Sequence, residues 1–289
     1  MTSLEHGSVV VGVDGSTSSD AAVTWAAHHA AARHLPLLLV HGAGELHSGS
    51  ELLGPSETTE ELRTVARGVT DRAMAVLDAL GLTLDIEVSS PLRDPREALL
   101  DCASEASILV VGTRGLGPLR MLLLGAVSSA VAAHATCPVA VVRTPHGLKG
   151  SAARHVVVGT DGAPVTAAAL EFAFDLASFE GRSLDVVHSW ADHDTFVDLG
   201  SYEERLQQEG DHERMLGEAL AGYGEKFPDV VVVRHLPEAS ATETLLALST
   251  DAFAVVVGTR GRTGVRALLT SVSRDIVERA ACTAIVVRA

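Results

Sequence analysis

Gly112-Thr113-Arg114-Gly115, then nine residues, then Gly125-Ala126-Val127-Ser128 is a spacing suited to holding an anion. Glycines let a backbone come close to a phosphate. The N–H groups exposed where a helix opens near Val127, with the helix dipole behind them, donate to it. The Ser128 hydroxyl supplies a further donor. A single G-x-x-G occurs at many strand-to-helix turns, so the long G-x2-G-x9-G phase carries the phosphate reading. Asp14, in Val-Asp-Gly-Ser, offers a carboxylate that could accept from an adenine amine or a ribose hydroxyl, or help hold a metal ion. The other reading is a helix cap or Asx-turn, and the two are compatible. Backbone groups at Val40, just before His41, either meet the edge of a base or end a buried strand.

Most of these features recur in a second copy. VVVGVDG at 9–15 returns as VVVGTDG at 156–162, LVVGTRGLG at 109–117 as VVVGTRGRT at 255–263, and CPVAVVR at 137–143 as CTAIVVR at 282–288. Offsets of 147, 146 and 145 residues mean two copies of one folded unit. Asp161 answers Asp14, and Val187-His188 answers Val40-His41. The second glycine run, Gly258-Thr259-Arg260-Gly261, is followed by only eight residues before Thr270-Ser271-Val272-Ser273. Thr270 therefore stands at the third glycine's position, where a β-branched side chain obstructs a passing phosphate. Ser271 and Ser273 keep their hydroxyls. The expectation is that the first copy binds nucleotide and the second binds more weakly or differently.

The elements that position these residues follow from hydrophobic patterning. Val9–Val13, Leu37–Val40, Ile108–Val111 and Val139–Val142 are short unbroken apolar runs, as expected of strands covered on both faces, and Leu82–Val88 reads as another strand. Helices are predicted over Ser16–Leu35, Glu57–Leu80, Asp94–Glu105 and Val127–Ala135. The alternation predicts an α/β fold with a doubly wound, mainly parallel sheet in each copy, five strands flanked by helices. Strands of the second copy are expected near 155–159, 184–188, 230–234, 253–257 and 284–288. Domains of 1–146 and 151–289 follow, with Thr144–Arg154 as linker. Ala43–Ser56 and Ala191–Ser201 read as surface loops or flaps.

Composition narrows the function classes. With 37 acidic against 22 basic residues the net charge is −15, so nucleic acid and acidic membranes are poor partners. Only Lys149 and Lys226 are lysines, no Walker A sequence is present, and arginine or backbone amides must meet any phosphate. The three cysteines are far apart, and Cys137 and Cys282 precede apolar strands at equivalent positions, which reads as packing in a reducing compartment. The N-terminus lacks a basic-then-apolar leader, so a cytoplasmic location is expected. Met121–Val142 carries no charged residue, but its counterpart in the second copy carries Arg274, Asp275, Glu278 and Arg279, so neither reads as a membrane span. His28, His29, His34 and His41 show no spacing of a metal-ligand set, and no metal is expected.

VGVDGS, the GTRG turn, the G-x2-G-x9-G phase and the closing CPVAVVR together resemble the universal stress protein family in its tandem two-domain form, over essentially the whole chain. The resemblance implies Rossmann-like domains that, in one branch of the family, bind ATP, with or without Mg. Carried over, the contacts are Asp14, Val40, Gly112, Gly115, Gly125 and Ser128, with the Ala126 and Val127 amides between them. Asp161, Gly258, Gly261, Ser271 and Ser273 are their counterparts. Ala126 stands where the family usually has Ser or Thr, which removes one hydroxyl donor, worth about 1 kcal/mol, but leaves the N–H. The implied role is a nucleotide-dependent regulator in stress or growth arrest, read by a protein partner, with slow ATP hydrolysis at most. The alternative is an interaction module that binds no nucleotide. An ATP-dependent enzyme is a third reading. The apolar last strands would be exposed edges, and the resemblance implies that they pair within the chain as a pseudo-dimer; a homodimer is a further alternative.

Overall fold

The computed structural model describes residues 7–44, 59–113, 124–143, 155–163, 166–190, 202–259 and 269–288, with only the backbone course given for 202–205. The linker Thr144–Arg154, and Gly115 and Gly261 of the glycine motifs, lie outside these residues, as do 45–56 and 191–201 of the two loop segments. The chain divides into two compact units, Met1–Thr144 and Pro145–Ala289.

In the first unit β1 (Ser8–Gly12), α1 (Thr17–Arg33), β2 (Leu37–Val40), α2 (Thr59–Leu80), β3 (Ile86–Ser89), α3 (Pro95–Cys102), β4 (Ala106–Gly112), α4 (Ala126–His134) and β5 (Val139–Val142) alternate along the chain. The strands lie in the order β3-β2-β1-β4-β5, all parallel. Strand order therefore reverses between β1 and β4, where the carboxyl ends of two neighbouring strands diverge into helices on opposite faces. Val9, Val10, Val11 and Leu109, Val110 are fully buried, because helices cover the sheet on both sides.

Several boundaries differ from the sequence reading, α3 for instance ending at Cys102 rather than Glu105, and two elements show local reasons. Ser16 stands outside α1 as its N-cap, accepting from Ser19 N–H, and the helix stops at Arg33 because His34 turns left-handed at φ 55° and donates back to the Ala30 and Ala31 carbonyls. Strand β3 begins at Ile86 rather than Leu82. It is an edge that pairs only with β2, so its length is limited to the four residues β2 offers.

The second unit repeats the scheme with β6 (His155–Gly159), α5 (Ala167–Phe179), β7 (Ser183–Val187), α6 (Tyr202–Ala219), α7 (Tyr223–Lys226), β8 (Val232–His235), α8 (Ala241–Leu248), β9 (Ala254–Gly258), α9 (Ser271–Arg279) and β10 (Thr283–Val287). Its strand order is β8-β7-β6-β9-β10, again parallel. The single-turn α7 has no counterpart among the described residues of the first unit. Its Tyr223 and the following Phe227 stack on Phe174 of α5, with ring centroids 4.5 and 5.5 Å away. Cys137 and Cys282 are buried and Cys102 is partly so. Among the described residues no helix is long and apolar enough to cross a membrane.

Candidate functional site

At the strand-order reversal of the first unit, the turn after β1 is shaped by Gly15, whose φ of +80° suits glycine and few other residues. Asp14 Oδ1 accepts the Ser16 N–H at 3.0 Å, and the Asp14 N–H donates to Ser19 Oγ at 3.3 Å. The Asx-turn is thus present. It uses one carboxylate oxygen and leaves Oδ2 without a partner among the described residues. In the second unit Asp161 Oδ1 accepts from Ala163 N–H at 3.0 Å and from the Thr166 hydroxyl at 3.4 Å, with Gly162 at φ +74°.

Across the reversal, the end of β4 packs tightly on α1. A Cβ at Gly112 would stand 2.5 Å from Ser18 Oγ and 2.7 Å from the Ser18 carbonyl carbon, so glycine here is a packing requirement. Ser128 Oγ donates to the Gly112 carbonyl at 2.6 Å, and Gly125 N–H to the Thr113 carbonyl at 2.8 Å. These two bonds hold the start of α4 beside the end of β4. Ser128 is buried, and its hydroxyl proton is committed to this tie, so its side chain positions the helix. Gly125 caps α4 at φ −72°, ψ 154° with no side-chain hydrogen bond. The first N–H groups of a helix have no partner within it. Those of Ala126, Val127 and Ser128 have none among the described residues.

The second unit reproduces the tie, Ser273 Oγ donating to the Gly258 carbonyl at 2.7 Å, but finishes the helix differently. Thr270 Oγ1 accepts Ser273 N–H at 3.1 Å and lies 2.9 Å from Ser273 Oγ. Thr270 is therefore an N-cap of the kind threonine commonly forms. It acts by satisfying a donor, where the sequence suggested obstruction by bulk. Ser271, at the first helical position, is exposed. At Gly258 a Cβ would meet nothing closer than 3.7 Å.

The end of β2 changes the assignment of the base-edge residue. Val40 is buried, and its carbonyl accepts Val13 N–H at 2.9 Å. His41 N–H turns the other way, to the Ser89 carbonyl at 2.9 Å. By the two-residue alternation of a strand, the next main-chain groups on the β1 side belong to Gly42, which has no hydrogen bond among the described residues. Gly42 and Gly44 are required sterically, since a Cβ on either would come within 2.3 to 2.4 Å of the Pro95 or Arg93 backbone. Counting two residues on from Val40, with Gly-x-Gly at 42–44 as the signal, would have found this. His41 Nδ1 lies 2.8 Å from the Val13 carbonyl, so that nitrogen carries the proton and braces the β1 turn.

In the second unit the equivalent His188 makes the same brace, Nδ1 to the Thr160 carbonyl at 3.0 Å. Its Nε2 then accepts from Nδ1 of His212 at 2.9 Å. The His212 ring stacks on the Trp190 indole, centroids 5.5 Å apart at 23°, and Trp190 Nε1 donates to the Leu236 carbonyl at 3.2 Å. Burial, and then the neighbouring His188, hold His212 below the usual imidazole range, against an opposing pull from Asp211. The sequence points to His188 as the counterpart of His41, but to neither His212 nor Trp190.

The match between units is residue by residue. Trp190 N–H bonds the Pro237 carbonyl as Ala43 N–H bonds that of Pro91. Met215 is the side chain nearest a Cβ at Gly162, as Val69 is at Gly15, which aligns His212 with Ala66. Two buried alanines of the first unit are thus a tryptophan and a histidine in the second.

A family model described as the universal stress protein family matches residues 6–143 and 152–288. A universal stress protein of Mycobacterium tuberculosis is 37% identical over 294 residues, covering 98% of this chain and 97% of its own. One from Mycolicibacterium smegmatis is 35% identical over 295 residues, covering 99% and 98%. Among solved structures, a universal stress protein from Archaeoglobus fulgidus has a TM-score of 0.72 at 19% identity, covering 98% of both chains, a likeness of fold.

Proposed function

The chain belongs to the universal stress protein family, and from that premise we propose that its first unit binds an adenine nucleotide, ATP in particular, as a cytoplasmic nucleotide-dependent regulator. The observation that carries this is the start of α4, an uncapped helix whose Ala126, Val127 and Ser128 N–H groups stand beside the strand-order reversal. Helix N-termini of this kind favour phosphate through both their donors and their dipole. The free oxygen of Asp14, across the reversal, suits a ribose hydroxyl, and the Gly42 main chain suits a base edge. Mg comes with the triphosphate as its counter-ion.

Occupancy, rather than turnover, is the proposed output. The test is mass spectrometry of small molecules released by denaturing the protein purified without added nucleotide, followed by calorimetric titration with Mg-ATP. One ATP per chain is expected, with at least a tenfold loss of affinity in Asp14→Ala at unchanged circular dichroism. No released nucleotide and no titration signal would transfer the protein to the reading of a partner-binding module. The capped α9 favours that reading for the second unit alone.

A further inference from the structure

Both halves of the site proposed for the first unit have a side-chain occupant in the second. Where α4 begins with donors that have no partner among the described residues, α9 begins with the Thr270 hydroxyl on the Ser273 N–H. Where the first unit has the buried Ala43 and Ala66, Trp190 and His212 place an indole and an imidazole face to face. The indole is a fused bicyclic ring of purine size. The surrounding frame is the same, since the main-chain bonds of Trp190 and Ala43 are equivalent and the histidine brace is kept. With its Nδ1 proton on the Thr160 carbonyl, a neutral His188 ring accepts at Nε2, and His212 Nδ1 donates to it. That bond fixes the plane of the His212 ring and with it the stack on Trp190.

We propose that Trp190, His212 and Thr270 are specificity-determining residues that close the second unit to nucleotide, the aromatic pair standing in for the base and the threonine hydroxyl for a phosphate oxygen. This rests on the reading of the first unit as an adenine-nucleotide site. The closure predicts that the second unit can be opened in steps. Removing the aromatic pair admits a nucleoside, which needs no phosphate donors. Removing the threonine cap as well admits the phosphates.

The experiment is equilibrium dialysis of the full chain against labelled adenosine and, separately, Mg-ATP. Wild type is expected to bind one equivalent of each. Trp190→Ala/His212→Ala should bind two of adenosine, the second at least tenfold more tightly than wild type does. Adding Thr270→Gly should extend the second equivalent to ATP. Two equivalents in wild type, or an unchanged adenosine count in a folded double variant, would overturn the proposal. No binding in wild type with one equivalent gained in the double variant would defeat the reading of the first unit and uphold the closure of the second; none in either overturns both. If the alanine pair does not fold, Trp190 emission in a Trp25→Phe chain decides the point. Emission unchanged at saturating ATP is expected, and a displaced indole overturns the closure.

Discussion

Gly112 and Gly258 occupy the same place in the two copies, at the end of the strand that leads into the glycine motif, yet they should respond oppositely to a methyl group. Neither has a positive φ, so alanine is conformationally allowed at both, and the comparison isolates packing. At Gly112 the new Cβ would fall 2.7 Å from the Ser18 carbonyl carbon, where ordinary contact begins near 3.4 Å. Ser18 lies in the first turn of α1 and cannot retreat without moving that helix against β1 and β4. Forcing an extra methyl into such a contact costs about 1–3 kcal/mol. For a unit of this size that corresponds to a fall in Tm of about 3–9 °C. At Gly258 the nearest atoms, Ala169 Cβ and Thr166 Cγ2, are both 3.7 Å away, an ordinary contact. There the loss of unfolded-chain freedom should stabilise by about 0.4–1 kcal/mol. Differential scanning calorimetry of Gly112→Ala and Gly258→Ala provides the test, and Mg-ATP affinity should fall only in the first. Equal Tm shifts of the same sign in the two variants would refute the packing difference on which the comparison stands.

Ser128→Ala removes the hydroxyl that ties α4 to the Gly112 carbonyl; chemical denaturation should show a loss of about 1 kcal/mol, and calorimetry a weaker ATP signal as the helix start loosens. His212 adds a pH dependence whose sign is fixed by its depressed pKa. As pH falls, the unfolded chain takes up the His212 proton first, near pH 6.5, and the folded chain only at lower pH, so unfolding binds a proton across that window and stability falls with pH before levelling off. Denaturation at pH 7.5, 6.5 and 5.5 should therefore show a steeper acid loss in wild type than in His212→Phe, and identical slopes would count against it.

Much of this molecule is legible in its sequence because buried parallel strands leave an unmistakable trace. Leu37–Val40 and Val139–Val142 are strands over the very residues of their apolar runs. Helix ends were less legible, since the stop at Arg33 depends on a left-handed histidine, a conformation that residue type does not announce. At the site, the Ser128 and Thr113 bonds hold Gly125 beside Gly112, and Asp14 follows the neighbouring strand β1. Val40 did not serve, because which of its neighbours face β1 depends on register and not on composition. Thr270 illustrates a different gap, in that a threonine ahead of a helix is a recognised capping signal, yet its place in a glycine motif drew attention to its size. The Trp190 and His212 pair was invisible because the two residues are distant in sequence and meet only through the packing of α6 beyond the end of β7.

The Thr270 cap has a consequence for how such a chain can respond to its surroundings. On the closure proposed above, an occupant tethered by the backbone has an effective concentration that no change in the cell alters, and the second unit would read the same at every nucleotide level. A chain left with one responsive site titrates hyperbolically and shows no cooperativity on its own. Under that proposal, a threshold-like response would have to arise from several chains acting together.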